Sequence, residues 1–258
     1  MQSKKIGLLA GMLCCAMGAA SAGELASFKT LRLEGNGVRW HTPAGKPGPV
    51  VTYSVVAQEM EFAGARNCGR MTAPTALLSG SHIAPDRLRQ EVAAAFAMWE
   101  AVADISFREA AGPDRADILI GAQLEPEGWA FANVFYDTLS PEVVKPISRA
   151  LVCLNPEKRW KIGFDGDLKA YDLRYTLAHE IGHAIGLDHP SGGGQIMGYR
   201  YEETFRGLQP GDIAGAVTLY GNRGPSGIVA ASKPAEEQRS PPVAPGAEGG
   251  GERAFPAQ

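Results

Sequence analysis

The chain has 258 residues, of which 45% are hydrophobic and 21% charged, and its formal net charge is −3. These values are typical of a soluble globular protein, and the length allows one substantial domain with additional segments. The slight acidic excess gives no support for nucleic-acid binding, which usually requires a basic patch. No segment after the N-terminal region is long and apolar enough to span a membrane, and a monomer is assumed.

The N-terminal residues have the pattern of a secretory signal. Lys4 and Lys5 precede an apolar run over residues 6–17, and the small residues at 20–22 resemble a cleavage site. The apolar run is too short to span a membrane. We therefore expect residues 1–22 to be removed, which takes the net charge from −3 to −5. We also expect the protein to be secreted to an extracellular or periplasmic compartment.

The four cysteines divide into two pairs. Cys14 and Cys15 lie within the signal, so the mature chain keeps Cys68 and Cys153. In an oxidising compartment this even number favours one disulfide. The alternative is two separate buried thiols.

The first half of the mature chain is predicted to contain a loop, a strand, an insertion and a helix. Residues 35–49 are rich in Gly and Pro and indicate a loop, whereas the β-branched residues at 50–56 predict a strand. Residues 57–81 show no clear period and are interpreted as an inserted loop that a Cys68–Cys153 disulfide could anchor. Pro85 suits the first turn of a helix. Apolar residues then recur at helical spacing and predict a core-facing stripe of Leu88, Val92, Phe96, Trp99 and Val102.

Further strands are predicted at residues 105–108, 117–120, 128–132 and 148–154. The third of these is interpreted as an edge strand beside a cleft. A loop follows at residues 165–167, where the carboxylates of Asp165 and Asp167 could contact Ca²⁺. A solvated turn is the favoured interpretation of this loop.

The last part of the chain is predicted to contain two helices and a tail. The helices cover residues 171–187 and 209–220. Residues 222–258 hold six Pro and six Gly with few large apolar side chains. Such a composition cannot offset the entropy of ordering, so a disordered tail is expected.

The first of these helices carries the most specific motif in the chain. Residues 179–189 read H-E-I-G-H-A-I-G-L-D-H, and a methionine follows eight residues later. His179 and His183 lie one turn apart on one helix face and can bind one zinc ion, with Glu180 beside them as a general base. Gly186 allows a sharp turn that returns His189 as a third ligand. Three protein ligands leave a fourth position for water, as in catalytic zinc sites.

The motif together with Met197 resembles the metzincin metallopeptidases. Flanking segments resemble the matrixin (matrix-metalloproteinase-like) branch in chain order, at residues 51–56, 95–100, 105–109, 116–120 and 212–221. The resemblance covers residues 50–221 and implies an α+β metzincin fold. That fold has a twisted, mainly parallel sheet of about five strands, an active-site helix, a backing helix and a C-terminal helix. The expected organisation is a signal at 1–22, a catalytic domain at 23–221 and a tail at 222–258.

The resemblance implies a secreted zinc endopeptidase that cleaves protein or peptide substrates. One catalytic Zn²⁺ would be held by His179, His183 and His189, with Glu180 as the general base for the attacking water. Met197 is implied to form a hydrophobic floor beneath the three histidines. The alternatives are a catalytically weak binding module that keeps the fold and a zinc peptidase that acts on cell-wall peptides.

The chain also departs from the matrixin pattern near the motif. Pro190 replaces the usual Ser after the third His, as in serralysins. Met197 and Tyr199 resemble the Met-x-Tyr of astacins and serralysins, so Tyr199 could donate a hydrogen bond to the developing oxyanion. The alternative is that Tyr199 or Tyr201 lines the pocket wall.

Two other matrixin features are not expected here. Residues 110–171 contain no histidine, because the two histidines outside the motif are His41 and His82. The second, structural zinc of matrixins therefore cannot be built. Cys68 follows the predicted first strand, and only about 27 residues separate the signal from that strand. A cysteine-based latency switch is therefore not expected.

Overall fold

The computed structural model describes residues 27–42, 45 and 47–224. The predicted signal and residues 225–258 of the predicted tail lie outside this range. The described strands are β1 Lys29–Thr30, β2 Arg32–Leu33, β3 Asn36–Arg39, β4 Val50–Val55, β5 Met60–Glu61, β6 Arg70–Thr72, β7 Ser106–Glu109, β8 Ile118–Gln123, β9 Ala130–Tyr136, β10 Val144–Leu154, β11 Trp160–Lys161, β12 Tyr171–Asp172 and β13 Leu187–Asp188. The described helices are α1 Thr75–Gly80, α2 Pro85–Glu100, α3 Leu173–Ala184 and α4 Pro210–Tyr220. None of the described helices has the length and apolarity needed to cross a membrane.

A mixed sheet forms the centre of the fold. Its main path runs β2-β3-β10-β8-β4-β7, and the four pairings from β3 to β7 are parallel. β9 pairs antiparallel with β10, and the short strands β5 and β6 add to the sheet beside β8. The predicted α+β fold is confirmed, and the pairings along the main path of the sheet are mainly parallel. The sheet has nine strands instead of about five, because short strands extend it.

The larger core lies between this sheet and helices α2 and α3. Alternate residues of β8 and β10, among them Ile118, Ile120 and Val152, face this core, as the two-residue period of a strand requires. The predicted stripe of α2 is buried except for Val102, which follows the end of the helix and is half-buried. The indole N–H of Trp99 donates to the carbonyl of Ala178 at 2.9 Å, which fixes α2 against α3.

A smaller core lies on the opposite face of the sheet. The intervening residues of β8 and β10, Leu119, Leu151 and Cys153, pack there against the segment 57–81. The prediction that this segment is a loop was wrong, because it contains β5, β6 and α1. Its predicted anchor is present, since Cys68 and Cys153 form a disulfide. The elements were missed because each is only two to six residues long.

Two further segments are more ordered than their composition predicts. The expected loop at 35–49 begins with β3, which pairs in parallel with residues 144–146 at the start of β10. After α4, Asn222 bridges to Ala103 and Arg223 bonds to Glu100. The folded part of the chain therefore extends past the expected boundary at residue 221.

Candidate active site

Helix α3 carries the motif and is fixed at both ends. At its start the side chain of Asp172 accepts a hydrogen bond from the Tyr175 N–H at 2.9 Å, a typical N-cap. Near its end the Trp40 indole N–H donates to the carbonyl of Ala184 at 3.0 Å. Gly186 then takes a positive φ of 103°, and a Cβ there would lie 2.4 Å from the Val38 carbonyl oxygen. The predicted sharp turn at Gly186 is therefore present and requires glycine.

This turn brings the three histidines of the motif together. The Nε2 atoms of His179, His183 and His189 lie 3.0–3.2 Å from one another. The Nδ1 atom of His179 lies 2.7 Å from the Ile196 carbonyl oxygen, and that of His183 lies 2.8 Å from the Leu187 carbonyl oxygen. Because a carbonyl only accepts, both Nδ1 atoms carry the proton, and both Nε2 lone pairs face the centre of the group.

Burial keeps these imidazoles neutral. Burial is the larger cause, and together with the neighbouring imidazoles it lowers the pKa of His179 to about 3 and that of His183 to about 4. Burial also lowers the pKa of His189, which is more exposed. Neutral imidazole is the form that binds a metal, so the group can act as a ligand set at neutral pH.

The donor set fits a zinc ion. Tetrahedral zinc with nitrogen ligands at about 2.0–2.1 Å separates those nitrogens by about 3.3 Å, close to the spacing of the three Nε2 atoms. No other group of three or more His, Cys, Asp or Glu side chains in the described part of the chain converges in this way.

Glu180 lies beside the three histidines and lines the same cleft. Its side chain is buried, and this burial raises its pKa to about 8. A carboxyl group with a pKa near the working pH can both accept and return a proton. Its position and chemistry thus suit the general-base role that the motif predicts.

Met197 is buried beneath the histidine helix, as the resemblance implies. It packs so closely that a Cβ on Gly182 would lie 2.2 Å from the Met197 sulfur. The backbone N–H groups of Ile196 and Met197 each donate at 2.9 Å to the carboxylate of Asp212 in α4. Gly182 and Asp212 were not predicted from the sequence to support the site. Asp212 also forms a capping box with Gln209, and that spacing is a signal that could have drawn attention to it.

The three histidines lie in an open cleft of about 1050 Å³. One side is formed by β9, which is hydrogen-bonded to β10 along one edge. No other described strand pairs with β9, so its second edge is free to bind an extended peptide. The predicted edge strand beside the cleft is therefore present.

The two tyrosines after Met197 lie in different environments. Tyr199 is 82% exposed, and its ring meets the ring of His189 edge-on with centroids 5.2 Å apart. Tyr201 is half-buried, stacks on Tyr171 and lines the cleft wall. An oxyanion role for Tyr199 stays a prediction.

The loop at residues 165–167, which was considered for Ca²⁺, forms an ion pair and hydrogen bonds with neighbouring side chains. Asp165 forms an ion pair with Lys161, which also lies 2.6 Å from Glu203. The Asp165 and Gly166 N–H groups donate to Glu203. The carboxylates here are used within the loop, so a calcium site is not supported.

The chain is similar to known proteins over the segment that contains the three histidines. A family model described as matrixin matches residues 76–221, more than half of the chain. The chain belongs to the matrixin family. It is 31% identical to stromelysin-3 of Homo sapiens over 153 residues, covering 55% of this chain and 29% of that protein.

Relatives from other sources match a similar part of the chain. Karilysin of Tannerella forsythia is 26% identical over 152 residues, covering 55% of this chain and 30% of that protein. Metalloendoproteinase 4-MMP of Arabidopsis thaliana is 30% identical over 150 residues, covering 54% of this chain and 42% of that protein. The matrixin match therefore spans less than half the length of these curated relatives.

Proposed function

We propose that this matrixin is a zinc-dependent endopeptidase that cleaves protein or peptide chains. The observation that carries the proposal is the convergence of three neutral Nε2 atoms at 3.0–3.2 Å beside Glu180. These groups line an open cleft next to the free edge of β9. A relative such as metalloendoproteinase 4-MMP carries the same class of activity in its name.

His179, His183 and His189 would hold one zinc ion, which supplies Lewis-acid polarisation of the substrate carbonyl and a more acidic water. Glu180 takes the proton from the attacking water and passes it to the leaving amine. Its burial favours the protonated carboxylic acid that the second transfer needs. No nucleophilic Ser or Cys is required, and Cys68 is committed to the disulfide.

The remaining groups of the cleft orient the substrate. An extended peptide can pair with the free edge of β9, which holds the backbone across the three histidines. Tyr199 lies against His189, and its side chain is largely exposed to solvent in the cleft. We propose that it donates a hydrogen bond to the developing oxyanion, as the Met-x-Tyr pattern suggests.

We further propose that the protein is exported, with residues 1–22 as the signal. The Cys68–Cys153 disulfide supports this proposal, because structural disulfides persist in oxidising compartments.

The test is cleavage-site profiling on a peptide library and an unfolded protein, with and without a chelator. Zinc-loaded enzyme should produce new amino termini within chains, and chelation should stop the reaction. Cleavage of cell-wall peptides without cleavage of the protein would identify cell-wall peptides as the substrate class. Zinc binding without hydrolysis of any of these substrates would identify a binding module instead.

A further inference from the structure

The segment 57–81 contributes to the cleft from the face of the sheet opposite to α3. Two of its residues, Gly64 and Arg66, line the same cleft as the three histidines. Both precede residue 76, where the match to the matrixin model begins. This part of the cleft is therefore additional to the part that the family match covers.

Residues 62–69, which we call the rim loop, are anchored to the two strands at the cleft. The backbone N–H groups of Asn67 and Cys68 both donate to the side-chain oxygen of Asn133 in β9, at 3.1 and 2.9 Å. The disulfide ties Cys68 to β10 as well. Arg66 directly precedes these anchors, so its backbone is positioned beside β9 without the help of a substrate.

Arg66 differs from the other charged side chains at the rim of the cleft. Arg32, Glu34 and Asp188 each form a hydrogen bond or an ion pair. Arg66 is exposed and forms neither with any described residue. Arg70 of the same segment, in contrast, contacts three glutamates. The guanidinium group of Arg66 is therefore available to a ligand in the cleft.

The chemistry of this group favours an acidic ligand. A guanidinium carries its hydrogen-bond donors in a planar fork that matches a carboxylate, so an aspartate or glutamate side chain is its best partner in a peptide. The protein as a whole carries a net charge of −3 and repels acidic peptides. A preference for acidic residues would therefore have a local origin.

The geometry of β9 restricts which peptide side chains can reach Arg66. Val134 packs toward the larger core, whereas Phe131 and Phe135 pack toward the smaller core. The rim loop lies on this second face, since a Cβ at Gly64 would lie 3.9 Å from the Phe135 ring. A peptide paired with the free edge of β9 also points alternate side chains to opposite faces. Every second peptide residue therefore faces the rim loop.

We propose that Arg66 forms a substrate-binding subsite for an acidic side chain and selects Asp or Glu among the alternate residues of a peptide bound along β9. This inference rests on the proposed endopeptidase function and names a substrate preference of the same cleft.

The test replaces Gln by Glu in a peptide substrate, one position at a time, over four residues on each side of the bond that library profiling identifies. Glu and Gln have similar size and shape, so the ratio of their kcat/KM values reports the effect of the charge. Zinc-loaded enzyme should favour Glu by about two- to fivefold, as expected for an exposed ion pair. The preference should occur at one position, or at two positions that lie two residues apart.

Variants of Arg66 should change this ratio in a graded way. Arg66→Gln should bring it to about one, and Arg66→Lys should retain a smaller preference. Arg66→Glu should invert the selection, so that Lys at the same position is cleaved faster than Gln. The matched control Arg89→Gln removes the same charge from an exposed position on α2 outside the cleft and should leave the ratio unchanged.

A binding measurement tests the subsite without turnover. Fluorescence anisotropy of labelled Glu and Gln peptides on Glu180→Ala should give a Kd about two- to fivefold lower for the Glu peptide. The double variant Glu180→Ala/Arg66→Gln should bind the two peptides equally.

The outcomes separate the two proposals. A ratio near one at every position, or a ratio that Arg66→Gln leaves unchanged, would overturn the Arg66 subsite and leave the endopeptidase function standing. Equal gains at consecutive positions would also overturn the subsite, because alternate residues alone face the rim loop. Failure to cleave any peptide or protein, with the Kd difference present, would overturn the endopeptidase function and leave the subsite standing.

Discussion

Removal of the Cys68–Cys153 disulfide should cost this domain several kcal/mol of folding free energy. The two cysteines are 85 residues apart, and closing a loop of that length restricts the unfolded chain by about 4.5 kcal/mol at 25 °C in the chain-entropy model. Both cysteines are fully buried in the smaller core, where the segment 57–81 packs on the sheet. The double variant Cys68→Ala/Cys153→Ala should therefore lose about 3–5 kcal/mol of unfolding free energy.

Urea denaturation followed by fluorescence measures this loss. The wild-type protein unfolded and refolded in reductant is the matched control, and it should approach the stability of the double variant. The slope m should rise in both, because an unfolded chain without the cross-link exposes more surface. A loss below about 1 kcal/mol would refute the reasoning that this cross-link holds the outer segment on the sheet.

Three further outcomes follow from the site and the chain end. In chelated protein, Glu180→Gln should be more stable than wild type by about 3 kcal/mol at pH 7. The reason is that burial raises the pKa of Glu180 from 4.5 to about 8, so ionisation of this carboxyl group opposes folding. A pH series of urea titrations should show the gain disappear below pH 4.5. Tyr199→Phe should lower kcat by about 10²–10³-fold with little change in KM if Tyr199 donates to the oxyanion, and an unchanged kcat would assign it to the pocket wall. Truncation after Gly224 should leave the melting temperature unchanged, whereas truncation after Gly221 should lower it measurably, because it removes the Arg223–Glu100 contact.

The sequence predicted the three histidines of the site better than it predicted the residues that hold them in place. His179, His183 and His189 are close in sequence and follow helix and turn rules that act locally, so their convergence could be derived from spacing and Gly186 alone. Asp212 supports the same site by bonding the Met197 turn from another helix. The capping-box spacing marks Asp212 as the start of a helix, but it does not show that the side chain also bonds to a turn elsewhere in the fold.

Contacts between residues that are distant in the chain also limited the prediction of the strands and of the cleft wall. The run at 50–56 is β-branched and was predicted as a strand, whereas β3 contains glycine and pairs with residues distant in the chain. Arg206 resembles any surface arginine in the sequence, yet it binds the buried carboxylates of Asp172 and Glu91. Tertiary contacts, not local preference, decide both positions.

Zinc content and turnover measured on one sample of Glu180→Ala test the central claim most directly. Metal analysis should give about one zinc per chain in both wild type and variant, because the three histidines and not Glu180 are proposed to form the ligand set. Hydrolysis of a fluorogenic peptide should fall by about 10²–10⁴-fold in the variant, the usual contribution of a general base. Undiminished turnover in Glu180→Ala, or a wild-type protein that takes up no zinc, would contradict the account.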